Sequence, residues 1–179
     1  MQQRLFNHPH QTPPKYEIRK DLPTHHHQIW DILKTIIDKG DSFAYSDNIT
    51  KEEMLGYWCA PEKHTYVAIE NDMVTGTFFI QSHQPGCGAH IANAAYAVSA
   101  KSEGKGIGKL IGMYSLEEAK RLGYTAMQFN LVVQSNMAAV ALWKKHGFEI
   151  MGEIPNAFNH KKLGLTNATF CKDIYNEHT

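Results

Sequence analysis

A glycine-dense turn between an apolar segment and an amphipathic segment constrains this chain most strongly. Gly104, Gly106 and Gly108 follow the apolar run at 96–98 and lead into a periodic run that starts at Ile107. Glycines at alternate positions remove Cβ atoms where the backbone turns tightly, so successive N–H groups can converge on an anion beside the positive end of a helix. The pattern predicts a strand, a diphosphate-binding loop and a helix rather than a simple turn.

Two common phosphate-binding loops do not fit this spacing. A Walker loop ends in Gly-Lys-Ser/Thr, whereas Lys109 is followed by Leu110, which has no hydroxyl for magnesium. A dinucleotide fingerprint that starts at Gly106 requires a small residue at position 111, and the bulky Ile111 does not meet that requirement.

The run from Val98 to Ile111 resembles the acyl-CoA loop of the GNAT superfamily of N-acetyltransferases, whose signature is Gln/Arg-x-x-Gly-x-Gly/Ala. Gly106 and Gly108 occupy its two small positions. Glu103 stands where the family has Gln or Arg, and a carboxylate beside a diphosphate is unfavourable for that side-chain contact, although the backbone contacts are unaffected. The resemblance implies acetyl-CoA as cosubstrate.

Length and composition set the remaining bounds. The chain has 179 residues, which favours one domain, expected over 15–179 after a flexible arm at 1–14 that contains three prolines. Its 18 basic and 18 acidic residues cancel and form no run of one sign, so neither nucleic acid nor membrane is an expected partner. Three cysteines without CxxC spacing indicate a cytoplasmic protein. The sequence shows no targeting segment, no apolar run of about 18 residues and no metal-ligand motif.

Periodicity and turn signals predict the order strand, two helices, three strands, helix, strand, helix and two strands. The expected boundary signals are an N-cap at Thr24, helix ends at Gly40, Gly123 and Gly147, a capping box at 50–53, a hairpin turn at 71–72 and a loop at 155–163. The GNAT resemblance implies the same order in an α/β (α+β) fold, with a mixed, mostly antiparallel central sheet and flanking helices.

The resemblance also implies where acetyl-CoA binds. In the family, pantetheine pairs with the backbone of the fourth strand, which places the Val98 N–H to hold the thioester oxygen, and the glycine loop takes the diphosphate. Lys105 and Lys109 are expected either to reach the adenosine phosphates of acetyl-CoA or to be solvated. The residues expected to contact acetyl-CoA are Ala97, Val98, Glu103, Gly104, Lys105, Gly106, Ile107, Gly108, Lys109, Asn136 and Trp143.

Asn136 and Trp143 form a second family mark. They lie at i and i+7 of a predicted helix and therefore on one face. Asn136 is expected to bind substrate, to cap the helix, or both. Many relatives carry Tyr where this chain has Trp143, and that Tyr protonates the leaving thiolate. The indole of Trp143 cannot act as this acid, so the CoA thiol, with a pKa of about 8.5, is expected to leave without help from a protein acid. Trp143 is then expected to shape the pocket or to pack in the core.

The residues from 88 to 98 contain no carboxylate that can act as a base, but two amides interrupt apolar strands. Asn93 and Asn130 are expected to position the acceptor together with Asn136, since a buried amide requires a partner. The alternative is that the strand amides bond to each other or to a bulged backbone. His90 is a candidate proton relay, or an exposed residue at a strand end.

These residues predict an N-acetyltransferase that acts by direct attack of an amine, without a covalent enzyme intermediate. The amides and the loop at 155–160 resemble the GNAT subgroup that contains the fungal azetidine-2-carboxylate acetyltransferase, which implies a small amino acid or imino acid acceptor. A peptide N-terminus, an antibiotic amine, or a non-catalytic CoA-sensing module are the alternatives. The family also implies a possible homodimer.

Overall fold

A computed structural model describes residues 15–175, so the arm expected at 1–14 lies outside the described part. The strands are β1 Glu17–Lys20, β2 His64–Glu70, β3 Met73–Ser82, β4 Ile91–Val98, β5 Ala126–Val133, β6 Glu149–His160 and β7 Gly164–Ile174. The helices are α1 His26–Lys39, α2 Lys51–Trp58, α3 Ile107–Arg121 and α4 Met137–Lys145. This element order is the predicted one.

Seven strands form one sheet in the order β1-β2-β3-β4-β5-β7-β6. Every neighbouring pair is antiparallel except β4 and β5, which are parallel. The predicted fold class, a mixed and mostly antiparallel sheet with flanking helices, is therefore confirmed.

The two faces of the sheet carry separate hydrophobic clusters. Adjacent residues alternate between them, so Phe78 packs with Ile107 and Ile111 of α3, whereas Phe79 packs with Leu33 of α1 and Trp58 of α2. This alternation follows from the two-residue period of a strand. Helices consequently cover both faces, which leaves the ends of the central strands available for a site.

Several sequence signals act as predicted. Thr50 and Glu53 form the capping box of α2, and Gly40 ends α1 in the left-handed conformation at φ +60°. Asn71 and Asp72 both have positive φ angles, at +49° and +62°, as a two-residue type I′ hairpin turn requires.

The predicted N-cap at Thr24 is wrong. A 3₁₀ turn at Pro23–His25 precedes α1, and its first orphan donor, the Leu22 N–H, is satisfied by His25 Nδ1 at 2.9 Å. Proline fixes φ at the start of this turn and the imidazole supplies the acceptor, so the threonine hydroxyl is not needed as a cap.

The predicted loop at 155–163 is also wrong, because β6 continues to His160. The register with β7 shifts between Ile154 and Phe158, where Asn156 has a φ of +53° and its N–H donates to Asn167 Oδ1 at 3.0 Å. Pro155 cannot donate to a ladder, and the chain accommodates it as a bulge instead of ending the strand. The bulge allows His160 to reach the end of the central strands.

Among the described residues, no helix has both the length and the apolar composition to cross a bilayer. The edge strand β6 exposes the apolar side chains of Ile150, Met151 and Ile154. The expected homodimer stays a prediction.

Candidate active site

The parallel strands β4 and β5 separate after a short stretch of pairing. Their register comprises Ile91 opposite Ala126 and Ala92 opposite Met127, and β5 then bulges between Phe129 and Val132. Beyond this point the strands enclose a cavity of about 970 Å³. The separation of the two strands therefore opens the space that the helices and the segment between α1 and α2 complete.

The backbone of Val98 faces this gap. Ser99 N–H donates to Thr75 O of β3 at 2.9 Å, and His83 N–H donates to Ile91 O at 2.7 Å, so the odd-numbered residues of β4 make the ladder with β3. In an antiparallel ladder the intervening residues turn their N–H and C=O groups the other way. Val98 therefore presents its backbone groups to the side where β5 has moved away.

Ala97 differs from Val98 in this respect. Its backbone belongs to the ladder with β3, opposite Thr77, and its side chain is buried against the α1 and α2 cluster. Of the two strand residues predicted to contact acetyl-CoA, Val98 lines the cavity and Ala97 does not.

The glycine loop forms one end of the cavity. Gly104 and Gly106 have φ angles of +73° and +83°, and a Cβ added at either position would meet no other atom within 4 Å. Gly106 is the N-cap of α3 and offers no side chain, so the first N–H groups of that helix have no intrahelical acceptor. An anion here meets free donors and no intervening side chain.

The other loop residues differ in what they offer. Ile107 is buried in the core, so only its backbone is available, whereas Lys105 and Lys109 are exposed. Glu103 lines the cavity, and its carboxylate accepts a hydrogen bond from Lys39 Nζ of α1 at 2.9 Å. The unfavourable charge noted in the sequence is thus paired with a cation.

Asn136 and Trp143 also line the cavity. Asn136 Oδ1 accepts the Ala139 N–H at 3.1 Å, which confirms the N-cap and leaves the amide Nδ2 for a ligand. Trp143 is 6% exposed, and its ring centroid lies 4.8 Å from that of Tyr96 and 4.5 Å from that of Phe129. Trp143 therefore both packs in the core and walls the cavity.

The three predicted asparagines share this cavity. Asn93 Nδ2 donates to the Gln128 carbonyl at 2.8 Å and so bridges β4 and β5 where the strands begin to separate. Asn130 is exposed and contacts Gln128 Nε2 and His83 Nδ1 at 3.3 and 3.5 Å. Asn93 thus bonds to strand backbone just before the bulge and Asn130 to neighbouring side chains, so the two amides do not bond to each other, and their proposed role in positioning the acceptor stays a prediction.

His90 does not join this group. It is exposed, its Nδ1 contacts Cys87 O at 3.1 Å, and its carbonyl accepts the Thr125 N–H at the paired end of β4 and β5. Because the cavity opens at the other end of β4, His90 is not positioned to relay a proton there.

Sequence reasoning missed an aromatic wall. Phe43 and Tyr45, from the segment between α1 and α2, line the cavity together with Tyr57 and Phe79, in successive edge contacts with centroids 5.4 to 5.9 Å apart. The available signal was the run Ser-Phe-Ala-Tyr at 42–45 between two helices. This wall gives the cavity a large apolar surface.

Two titratable residues of the lining were missed as well. Asp41 lies beside Ser42, whose hydroxyl donates to Asp41 Oδ1 at 3.0 Å. His160, at the end of β6, is 8% exposed and lines the same cavity. The histidine lies in the segment predicted to be a loop, so its alternation into the cavity was not visible in the sequence.

A separate group of possible metal ligands lies outside the cavity. One ligand atom each from Asp21, His26 and Cys59 falls within 4.8 Å of the others. Burial and the adjacent Asp21 raise the pKa of the Cys59 thiol to about 12. The expected absence of a metal stays a prediction.

Comparison with known proteins places this geometry in context. The model of the acetyltransferase (GNAT) family matches residues 27–148. The N-acetyltransferase aca1 of Schizosaccharomyces pombe is 33% identical over 98 residues, which are 55% of this chain and 47% of that protein. This chain therefore spans about half the length of that relative.

Solved structures agree with the family match. A GCN5-related N-acetyltransferase from Kribbella flavida superposes with a TM-score of 0.87 at 30% identity, over 91% of this chain and 99% of that one. The fold is also shared with yncA of Salmonella typhimurium, solved with acetyl-CoA, at a TM-score of 0.80 and 21% identity over 92% of this chain and 96% of that one.

Proposed function

The chain belongs to the acetyltransferase (GNAT) family, and on that premise we propose that it transfers an acetyl group from acetyl-CoA to the amine of a small amino acid or imino acid. The observation that carries the proposal is the cavity between β4 and β5, which joins the free Val98 backbone to the glycine loop at the start of α3. Such a cavity offers an extended thioester a strand edge at one end and an anion site at the other.

The residues present suit acetyl-CoA. The unpaired edge of β4 provides hydrogen bonds for the amide groups of pantetheine, and the α3 N-terminus provides donors for the diphosphate. Acetyl-CoA supplies an activated acetyl group, and the Val98 N–H donates to the oxygen on which negative charge develops. The deprotonated acceptor amine attacks the thioester carbonyl directly, the C–S bond breaks, and CoA leaves as the thiolate without a tyrosine acid, because the pKa of its thiol is about 8.5. The thiolate can then take up the proton that the new amide nitrogen loses.

The acceptor half of the cavity suits a small zwitterion. Asn93, Asn130 and Asn136 provide neutral hydrogen-bonding groups, and the aromatic wall accommodates a compact apolar ring or chain. These amides also support the resemblance to the subgroup that acetylates azetidine-2-carboxylate and related proline analogues. A peptide N-terminus or an antibiotic amine remains the second acceptor class.

A panel assay tests the proposal. Purified protein would be incubated with acetyl-CoA and separate proline analogues, amino acids, polyamines and peptides, and thiol release followed. We expect release above the rate without acceptor only for amino or imino acids. Release only with peptides would reject the acceptor class, whereas acetyl-CoA binding without release on any acceptor would favour a sensing module.

A further inference from the structure

The orientation of His160 distinguishes it from the other polar groups of the cavity. It is the last residue of β6 and is 8% exposed. Its Nδ1 accepts hydrogen bonds from the backbone N–H groups of Lys162 and Leu163 at 3.1 and 3.3 Å. Both donors belong to the turn that directly follows the histidine.

These two donors fix the form of the ring. A nitrogen that accepts N–H hydrogen bonds must keep its lone pair, so the neutral ring carries its hydrogen on Nε2. Nε2 has no hydrogen-bond partner within residues 15–175. Nε2 is not among the fully buried polar atoms that lack a partner, so this donor is accessible, and because His160 lines the cavity, a ligand there can accept its hydrogen bond.

The turn that holds His160 cannot easily rearrange. Lys161 N–H donates to Gly40 O at 3.0 Å, and its Nζ contacts Asp38 O and Asp47 Oδ2 at 3.1 and 3.3 Å. A Cβ at Gly40 would lie 2.8 Å from the Cβ of Lys161, so the two segments are in close contact. The turn is thereby attached to the end of α1, which holds the two N–H donors of Nδ1 in place.

We propose that the Nε2–H of His160 donates to the carboxylate of the acceptor and so selects amino and imino acids over simple amines. This inference rests on the proposed function and assigns His160 a positioning role. His160 is not the base, because its Nε2 has no lone pair and its Nδ1 is occupied. The other nearby charges in the lining are Lys39, which is paired with Glu103, and Asp41, which suits the ammonium form of the acceptor better than its carboxylate.

Matched acceptors test the selection. L-proline and pyrrolidine differ only in the carboxylate, and His160→Phe keeps a ring of similar size without the donor. Because a hydrogen bond to a charged group contributes about 1.5–3 kcal/mol, we expect His160→Phe to lower kcat/KM for proline about 10- to 100-fold, mainly through KM. The kcat/KM for pyrrolidine and the KM for acetyl-CoA should stay within about twofold of wild type.

Two further variants separate selection from folding. His160→Gln restores a side-chain N–H donor and should recover part of the activity on proline. His27→Gln replaces a histidine on α1 whose side chain is 75% exposed, and it should leave kcat/KM unchanged for both proline and pyrrolidine. Equal losses on proline and pyrrolidine, or no loss on either, would overturn the proposed role.

A second measurement does not depend on turnover. In ¹⁵N-labelled protein with CoA bound, the ring spectrum of His160 should show hydrogen on Nε2, and that signal should shift with proline but not with pyrrolidine. The opposite tautomer, or no selective shift, would reject the role of His160 even where proline is acetylated. A selective shift without acetylation of any amino or imino acid would reject the proposed function but not the carboxylate site.

Discussion

At the residue scale, Asn136 combines a structural and a proposed functional role in one amide. Its Oδ1 caps α4 by accepting the Ala139 N–H, while its Nδ2 faces no described partner and belongs to the cavity lining. The two roles can be separated by substitution, because serine keeps an oxygen that caps the helix but lacks the amide NH₂ group.

Asn136→Ala should therefore lose both roles, and Asn136→Ser only one. We expect the alanine variant to lose about 1 kcal/mol of unfolding free energy, whereas the serine variant stays within a few tenths of wild type. Both should lower kcat/KM by about tenfold or more, as measured by thiol release beside chemical denaturation. Wild-type turnover in Asn136→Ser would mean that the Asn136 amide N–H does not contribute to acetyl transfer.

Glu103 is the second residue whose effect can be isolated. Its carboxylate lies beside the glycine loop, but 60% of the side chain is exposed and it is paired with Lys39. Exposed pairs contribute about 0.2–1 kcal/mol, so Glu103→Gln should tighten acetyl-CoA binding by at most about fivefold at low salt. Calorimetry would measure this, with Glu117→Gln as a control at an exposed carboxylate of α3. Unchanged affinity would mean that Lys39 already cancels the charge.

At the element scale, α3 begins and ends at glycines with the same backbone conformation. Gly106 and Gly123 have φ angles of +83° and +91°, and a Cβ at either would meet no other atom within 4 Å. Gly106 lies at the proposed anion site, whereas Gly123 lies at the opposite end of the helix. The pair therefore separates backbone strain from ligand contact.

Alanine at either position should cost about 1–2 kcal/mol of stability, because L-residues disfavour the left-handed region. Only Gly106→Ala should also raise the KM for acetyl-CoA, by about tenfold, since Gly106 belongs to the loop proposed to bind the diphosphate. Thermal unfolding and steady-state kinetics on both variants measure the two effects. An equal change in KM for the two variants would place the diphosphate elsewhere.

At the scale of the whole molecule, one buried acid links helix and sheet. Glu118 of α3 accepts hydrogen bonds from Arg121 Nε and Nη2 at 2.7 and 2.6 Å and from the hydroxyl of Tyr66 on β2. The hydrogen bonds from Arg121, supported by the one from Tyr66, lower the pKa of Glu118 from its ordinary value of 4.5 to about 2. Folding therefore favours the ionised form of Glu118 over its protonated form, relative to the unfolded chain.

This contribution should be complete above about pH 4.5 and lost as the pH falls towards 2. Glu118→Gln should reduce the unfolding free energy at pH 7 by about 1.5–3 kcal/mol and flatten its decrease between those pH values. Denaturant unfolding across pH 2–7 measures both, with Glu117→Gln as the neighbouring exposed control. Parallel pH profiles for wild type and Glu118→Gln would contradict the linkage.

The sequence by itself determined the fold and one end of the site. Glycines at 40, 123 and 147 adopt the positive φ angles that their places after apolar runs predict, and the loop at 104–108 forms the free helix start that its spacing indicates. These features are local, because a backbone conformation or a cap depends on residues within a few positions of one another. Interactions between residues that are close in the sequence therefore predict the order of the elements and the position of the proposed anion site.

Tertiary structure alone decided which side chains share the cavity. His160 and Phe43 are separated by more than 100 positions in the chain, and both line the cavity that opens where β4 and β5 separate. The sequence offers His90, directly before β4, as a candidate proton relay or an exposed strand-end residue, and the direction in which the strands open leaves it exposed at the closed end. Neither the opening of a sheet nor a bulge in a distant strand is written in the spacing of nearby residues, since both depend on how strands pair across the fold.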